Sequence, residues 1–322
     1  MKHSSIYYSV GPLLYCPGNR ETIAASVIQQ KLGSRFSLSL CLEDTISDSH
    51  VEEAERCLTS SIRQIRESRE SLSFYVPKIF IRVRYPAQIT RMRTMLGDNR
   101  QLISGYILPK FAPENADAYI QEIIAANEQS DCPVYMMPIY ESACMTDLRY
   151  RYDILYELKE KLSAIEELVL NIRVGGNDLC NLFSFRRHEN ESIHKIRPVS
   201  DIFSDILTVY GMDYVVSGPV WEYYSGDGWE EGLRNEIADD KLCGFIGKTV
   251  IHPNQIDVVN RAYQVTSKDY ADACSILNWD RTSIRDVAVN PSGERMNEKK
   301  THTNWAKQIL WMSETFGIQP ER

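Results

Sequence analysis

Short apolar runs of strand length alternate along this chain with longer segments in which apolar residues return at helical spacing. The runs fall at 13–16, 37–42, 78–83, 105–108, 134–138, 167–173, 213–217 and 244–251, and a segment able to form a helix follows each. Runs that are apolar at consecutive positions suit a parallel sheet, whose strands are covered on both faces. Between them, Val51, Ala54, Leu58, Ile62 and Ile65 mark the apolar face of one helix, and Tyr119, Ile120, Ile123 and Ile124 that of another.

Strand–helix alternation repeated over about 250 residues matches the size of a (β/α)8 TIM barrel, although a doubly wound open sheet would give a similar string. The α/β barrel is the expected fold. After Val265 the pattern changes to a helix over 268–279, a turn at Pro291-Ser292-Gly293 and a helix stepped by Trp305, Ile309, Trp311 and Met312. The expected organisation is a TIM-barrel domain over 1–265 and a C-terminal helical extension or lid over 266–322. Exposed tryptophans are costly, so the extension should pack on the barrel or on a neighbouring subunit.

Composition narrows the function. With 36 basic and 44 acidic residues the 322-residue chain carries a net charge of −8, and 43 % of it is hydrophobic, which argues against a disordered or nucleic-acid-coating protein. No window approaches the ~20 consecutive apolar residues that cross a bilayer. Met1-Lys2-His3-Ser4-Ser5 lacks the apolar run of a secretory signal, so a cytoplasmic location without a membrane partner is expected. The 8 cysteines form no Cys-x-x-Cys pair, and we expect most of them to be reduced core residues rather than disulfides.

His-Glu-x-x-His, Gly-x-Ser-x-Gly and Gly-x-Gly-x-x-Gly are absent. Gly247-Lys248-Thr249 imitates the end of a phosphate loop, but Leu242 stands where that loop needs a glycine, which excludes a nucleotide-triphosphate reading. In a barrel the chemistry sits where strands end, and that rule selects Arg20, Glu43, Asp44, Arg82, Arg84, Lys110, Glu141, Asp178 and His252. Carboxylates from different strands converging on one mouth can hold a hard cation such as magnesium, and arginines beside them can bind an acidic substrate through paired hydrogen bonds. Each residue also has a plain structural reading. Glu43-Asp44 and Glu141 would cap helices, Asp178 would serve a turn after Gly175-Gly176, Arg82 and Arg84 would be solvated or pair with Glu43, and His252-Pro253 would open a helix.

These residues lie in ordered motifs: Leu14-Tyr15-Cys16-Pro17-Gly18-Asn19, Leu42-Glu43-Asp44, Ile81-Arg82-Val83, Leu108-Pro109-Lys110, Ile139-Tyr140-Glu141-Ser142, Gly175-Gly176-Asn177-Asp178-Leu179, and the stretch from Gly244 through Ile251-His252-Pro253 to Ile256. In order and spacing the set resembles the citrate lyase β-subunit-like family, which includes malyl-CoA and citramalyl-CoA lyases within the wider HpcH/HpaI aldolase group. The likeness spans most of residues 11–260. It implies a magnesium-dependent carbon–carbon lyase or aldolase for a small carboxylate related to a 2-oxo acid. Under it, Glu141 and Asp178 bind Mg2+, Glu43 and Asp44 hold water around the metal, and Arg82 binds the substrate carboxylate. Tyr15, Arg20, Arg84, Lys110, Ile251 and His252 complete the substrate site, and the subunits assemble as trimers or hexamers.

Three departures bear on the substrate. Thr22 and Ser26 stand where relatives that use CoA thioesters carry phosphate-binding lysines, leaving Arg20 as the basic residue of that stretch. The family's Arg-x-Asn is Arg82-Val83-Arg84, which implies a more anionic ligand or an extra ion pair. Asn297 occupies the place of the lid aspartate; the neighbouring Glu298, with His302 one turn on, can act as acid or base, or Asn297 and Glu298 simply begin a helix. The tail resembles that of the divergent carbon–carbon lyases of tellurite-resistance-type gene clusters. Two further readings remain: an acyl-thioester hydrolase on the same scaffold, and a non-catalytic barrel serving as a binding component of a complex.

Overall fold

All eight apolar runs become strands of one parallel sheet. The computed structural model describes residues 4–279 and 285–320, so Met1, Lys2 and His3 of the chain start lie outside the described residues. The strands are β1 (Pro12–Pro17), β2 (Ser37–Cys41), β3 (Lys78–Arg82), β4 (Ile103–Leu108), β5 (Tyr135–Tyr140), β6 (Ile172–Val174), β7 (Val216–Ser217) and β8 (Lys248–Val250). Their order is β7-β6-β5-β4-β3-β2-β1-β8, and a bridge from Gly218, just past β7, to Lys248 of β8 brings the two edges together. The order runs consecutively round a ring without the reversal of a doubly wound sheet, so the fold is a (β/α)8 barrel.

Helices α1 (Ile23–Ile28), α2 (Val51–Ser68), α3 (Gln88–Leu96), α4 (Pro113–Glu128), α5 (Arg151–Ser163), α6 (Gly176–Leu182), α7 (Arg197–Tyr210), α8 (Trp229–Cys243) and α9 (Asn254–Tyr263) follow the strands. In α2, Ala54, Leu58, Ile62 and Ile65 are buried as the periodicity requires. In α4 the buried set is Ala116, Tyr119, Ile123 and Ala126, whereas Ile124 is exposed; the buried face is rotated toward the alanines. α4 opens with Pro113, whose missing N–H needs no partner in a first turn, and the Asn115 side chain accepts from the Ala112 N–H at 3.0 Å.

The later strands are shorter than their runs. Residues 166–168 form a 3-10 turn before β6. Gly244 (φ +105°) ends α8 in a left-handed conformation, its N–H donating to Asp240 O, which delays β8 to Lys248.

Strand alternation builds the barrel interior in layers. Leu13, Phe80, Ile107, Met137, Ile139 and Leu170 form an apolar plug. Two residues further along the same strands come Tyr15, Arg82 and Glu141, which therefore point the same way toward the barrel's C-terminal mouth. The scaffold that aims these polar groups is thus the plug itself, each of whose side chains contributes roughly 1.5–3 kcal/mol by burial.

The tail consists of α10 (Ser267–Leu277), a hairpin of β9 (Val287–Val289) and β10 (Met296–Glu298), and α11 (Lys299–Phe316). Trp311 packs 5.3 Å from Tyr8 and Phe316 stacks 5.1 Å from Tyr263, so α11 lies on the barrel, while Trp305 sits under the Arg295 guanidinium at 5.2 Å. All eight cysteines are free; Cys16, Cys41 and Cys180 are buried and Cys132 and Cys243 exposed, so fewer reach the core than expected. Among the described residues no helix is long and apolar enough to cross a membrane.

Candidate active site

A cavity of about 500 Å³ opens at the C-terminal end of the barrel, and Tyr15, Asp44, Arg82, Glu141, Asp178 and Ile251 all line it. These residues come from six different strands or the segments just after them, so the barrel closure is what brings them together.

Arg82, buried at the end of β3, is the hub. Its Nη2 lies 2.6 Å from Glu43 Oε2, 3.0 Å from Asp44 Oδ2 and 3.3 Å from Glu141 Oε1, and its guanidinium carbon sits 5.6 Å from the Tyr15 ring centre. Lys110 Nζ adds contacts of 2.6 Å to Glu43 Oε1 and 3.3 Å to Asp44 Oδ1. Lys110 adopts φ +49°, a left-handed conformation uncommon outside glycine. Its N–H donates to Glu141 Oε1 at 3.0 Å, so one residue both fixes Glu141 through its backbone and neutralises Glu43 through its side chain. Burial raises the Glu43 carboxyl above its ordinary value against the pull of Arg82. Burial also opposes ionisation of Asp44, but contacts with Glu43, Arg82 and Lys110 outweigh it and hold that carboxyl low.

Glu141 is buried and sits across a glycine pair from Asp178. A Cβ on Gly175 would collide with the Glu141 carboxylate, and one on Gly176 would come within 2.7 Å of Ile193 and 2.9 Å of Pro219. Both glycines are therefore needed for β6 to pass Glu141 and turn directly into α6, whose first turn carries Asp178. Burial raises Glu141 most, Arg82 opposes it and the charge of Asp178 adds to it, leaving the carboxyl at about 8. Two mutually repelling carboxylates on one cavity, with only oxygen donors, fit a hard divalent cation that retains several waters. Among the described residues no third His, Cys, Asp or Glu closes a metal cage.

The other expected residues stand elsewhere. Arg84 is taken up structurally: its guanidinium donates to the carbonyls of Leu42, Glu43 and Ile46 and pairs with Asp48, which supports the loop carrying Glu43 and Asp44. Arg20 bonds to Thr22 Oγ1 at 3.4 Å on the exposed loop after β1. His252 stacks on Tyr224 at 4.5 Å and, like Arg20, does not line the cavity; burial and the nearby Arg20 charge lower its pKa. Glu298 ends β10 and directly precedes α11, where it accepts from the Thr301 hydroxyl at 2.8 Å, and within this chain it is not a cavity residue; Asn297 stands beside it in β10. His302 Nδ1 accepts from the Glu298 backbone N–H rather than meeting its carboxylate.

Among the cavity residues that the strand-end rule passed over are Arg173 of β6 and Thr249 of β8. Arg173 is 1 % exposed, and its Nη2 donates to Thr249 Oγ1 at 2.6 Å. The available signal was an arginine inside the run Val169-Leu170-Asn171-Ile172-Arg173-Val174, since a charge in a strand covered on both faces must point into the barrel or be paired outside it. Lys248, between Gly247 and Thr249, has the outward orientation. It is fully buried against Glu236 Oε1 at 2.9 Å and Asp240 Oδ2 at 2.6 Å of α8, which accounts for the lysine of the false phosphate-loop motif.

A parallel eight-stranded barrel with acid and guanidinium groups gathered at its C-terminal mouth defines a TIM-barrel enzyme. A family model described as the carbon–carbon bond lyase of the TIM-barrel fold matches residues 4–318, and the chain belongs to that family. Among solved structures, the chain is similar to CitE from Mycobacterium tuberculosis in complex with magnesium, acetoacetate and coenzyme A, with 18 % identity, a TM-score of 0.62 and coverage of 96 % of this chain and 99 % of that one. RipC from Yersinia pestis gives 18 % identity and a TM-score of 0.55 over 81 % of this chain and 98 % of its own. The citrate lyase β subunit of M. tuberculosis complexed with oxaloacetate and magnesium gives 17 %, 0.50, 81 % and 99 %. At these identities the likeness establishes the fold. No curated protein matches the chain by sequence.

Proposed function

We propose that this chain is a magnesium-dependent carbon–carbon lyase or aldolase for a small carboxylated substrate related to a 2-oxo acid. The observation that carries the reading is the meeting of Glu141 and Asp178 on one cavity with the Arg82 guanidinium. Glu141 and Asp178 would hold the ion, with Glu43 and Asp44 accepting hydrogen bonds from its water. A magnesium ion held there would polarise a carbonyl and stabilise the negative charge that develops as the carbon–carbon bond breaks or forms.

The chain's own residues do the rest. Arg82 binds the substrate carboxylate while its carboxylate partners hold the guanidinium in place. Lys110 keeps Glu43 and Asp44 from repelling one another, and Tyr15 and Ile251 bound the space for the reacting carbons. Arg20 and His252, outside the cavity, would meet the more distant part of an acyl partner. Glu298 can serve as acid or base only by reaching another subunit's cavity, and a trimeric or hexameric assembly in the cytosol would provide that arrangement. Support for the metal and substrate class comes from the M. tuberculosis relatives, whose structures contain magnesium with oxaloacetate or acetoacetate.

Isothermal titration of the purified chain with magnesium and then pyruvate or oxaloacetate tests the reading. Binding of the oxo acid that requires magnesium is expected, together with release of a 2-oxo acid from a cleaved substrate. Silence with both acids in folded protein overturns it, and a free acid without a 2-oxo product would make the chain a thioester hydrolase.

A further inference from the structure

Arg82 and Arg173 line the same cavity but stand in opposite electrostatic situations. Arg82 has three carboxylate partners. Arg173, although 1 % exposed, is in no ion pair among the described residues, and its Nη1 has no hydrogen-bond partner. Burial lowers its pKa, while the titratable side chains that act on it are Tyr15, which raises it, and Arg82, which lowers it; none is a carboxylate. A guanidinium remains charged in a protein, and a buried charge without a counter-ion is costly, so its place beside open space calls for an anion. The surroundings suit one. Thr249 Oγ1 accepts from Arg173 Nη2 at 2.6 Å, which leaves the threonine O–H free to donate to the same ligand. Arg173 is also set two residues before Gly175 on β6, on the interior side where Gly175 meets Glu141, so the ligand of this guanidinium shares the space with whatever Glu141 and Asp178 hold.

We propose that Arg173 binds a second carboxylate of the substrate, so that the substrate class is a compound with an acid group at each end: one end at Glu141, Asp178 and Arg82, the other on Arg173 and Thr249. The inference rests on the lyase reading for the first end, and on the uncompensated charge alone for the second. A planar carboxylate matches the flat guanidinium edge, and the acid specificity is then set by β6 rather than by the loops.

The test compares the full chain with Arg173→Met and Arg173→Lys. With magnesium present, calorimetry should show oxaloacetate or 2-oxoglutarate binding to the unaltered protein at least about tenfold more tightly than pyruvate. Arg173→Met should bind pyruvate as the unaltered protein does and lose that preference, and Arg173→Lys should keep part of it. Equal affinity for pyruvate and both diacids, or an unchanged preference in Arg173→Met, overturns the proposal. Thermal unfolding without magnesium separates this outcome from failure of the lyase reading. Malonate or succinate should raise the Tm of the unaltered protein and not of Arg173→Met, even if no oxo acid binds with magnesium. No rise with either diacid, or a rise with inorganic phosphate alone, overturns the assignment of a carboxylate. Should Arg173→Met fail to fold, the diacid-dependent Tm of Arg173→Lys against the unaltered protein carries the same decision.

Discussion

The Glu141 carboxylate occupies the place where a Cβ on Gly175 would lie. Strand β6 thus approaches β5 as closely as it does because Gly175 has no side chain, and the approach sets Glu141 against Asp178. Gly175→Ala should push Glu141 off its hydrogen bond with the Lys110 N–H while leaving the plug beneath it intact. Magnesium affinity should fall by about tenfold or more, the loss of a charge-assisted contact, with an unchanged circular dichroism spectrum. Calorimetry with magnesium alone checks this, and an unchanged affinity would remove Glu141 from the proposed metal site.

Removing Arg82 does two things at once. Arg82→Ala takes away the guanidinium proposed to bind the substrate and leaves Glu43, Asp44 and Glu141 facing each other without their common partner. Stripping one partner from a buried pair costs about 3–5 kcal/mol, and the exposure of Asp44 places this site toward the lower end. Substrate affinity and turnover should both collapse, with a lowered denaturation midpoint in urea. Arg82→Lys should recover much of the stability and little of the activity, because an ammonium cannot reproduce the forked contact.

How much of this was legible beforehand depends on what each residue's neighbours reveal. The barrel could be read because consecutive apolar positions followed by amphipathic segments leave few alternatives, and Arg82 and Glu141 could be placed because they stand at or just beyond the end of an apolar run, whereas Tyr15 was reached only through the motif Leu14-Tyr15-Cys16-Pro17-Gly18-Asn19 that carries the family resemblance. Arg173 stands at the last position of its run, but the selection there went past it to Asp178 behind Gly175-Gly176. Arg84 shows the converse: two residues from Arg82 in sequence, it turns to the carbonyls of the β2 loop, and only the three-dimensional course of that loop decides this. The runs overstate β7 and β8 at their starts, because Tyr214 N–H still donates to Tyr210 O at the end of α7 and Phe245 N–H to Asp240 O at the end of α8.

Glu141 also predicts a pH dependence. Burial holds its carboxyl protonated up to about 8, against an ordinary value of 4.5. The folded chain keeps a proton that the unfolded chain releases, so this contribution to stability is fully present below pH 4.5 and is lost as pH rises toward 8. The Tm of metal-free protein should therefore fall across that window from this group, and Glu141→Gln should flatten the slope there. Magnesium needs the ionised carboxylate, so its binding near neutral pH should release a proton, seen as a buffer-dependent heat in calorimetry.

On the outer side of the sheet, Lys248 ties β8 to α8 through Glu236 and Asp240, while Arg187 also pairs with Glu236 and His194 Nε2 lies 2.7 Å from Asp240 Oδ1. Burial alone would raise the Glu236 carboxyl, but Lys248 and Arg187 outweigh it and hold it below 4.5. Its contribution is present above pH 4.5 and lost as the pH falls below that value, through the lowered folded-state pKa. Lys248→Met should leave two buried carboxylates short of a partner, at a cost of about 3–5 kcal/mol and a Tm drop on the order of 10 °C. The double variant Lys248→Met, Asp240→Asn should regain part of that loss, because without the lysine Asp240 keeps only His194, whereas Glu236 keeps Arg187. Since this network lies outside the cavity, oxo-acid binding measured well below the Tm should survive in both variants; a loss of binding in folded protein would mean that Lys248 reaches the site through Thr249.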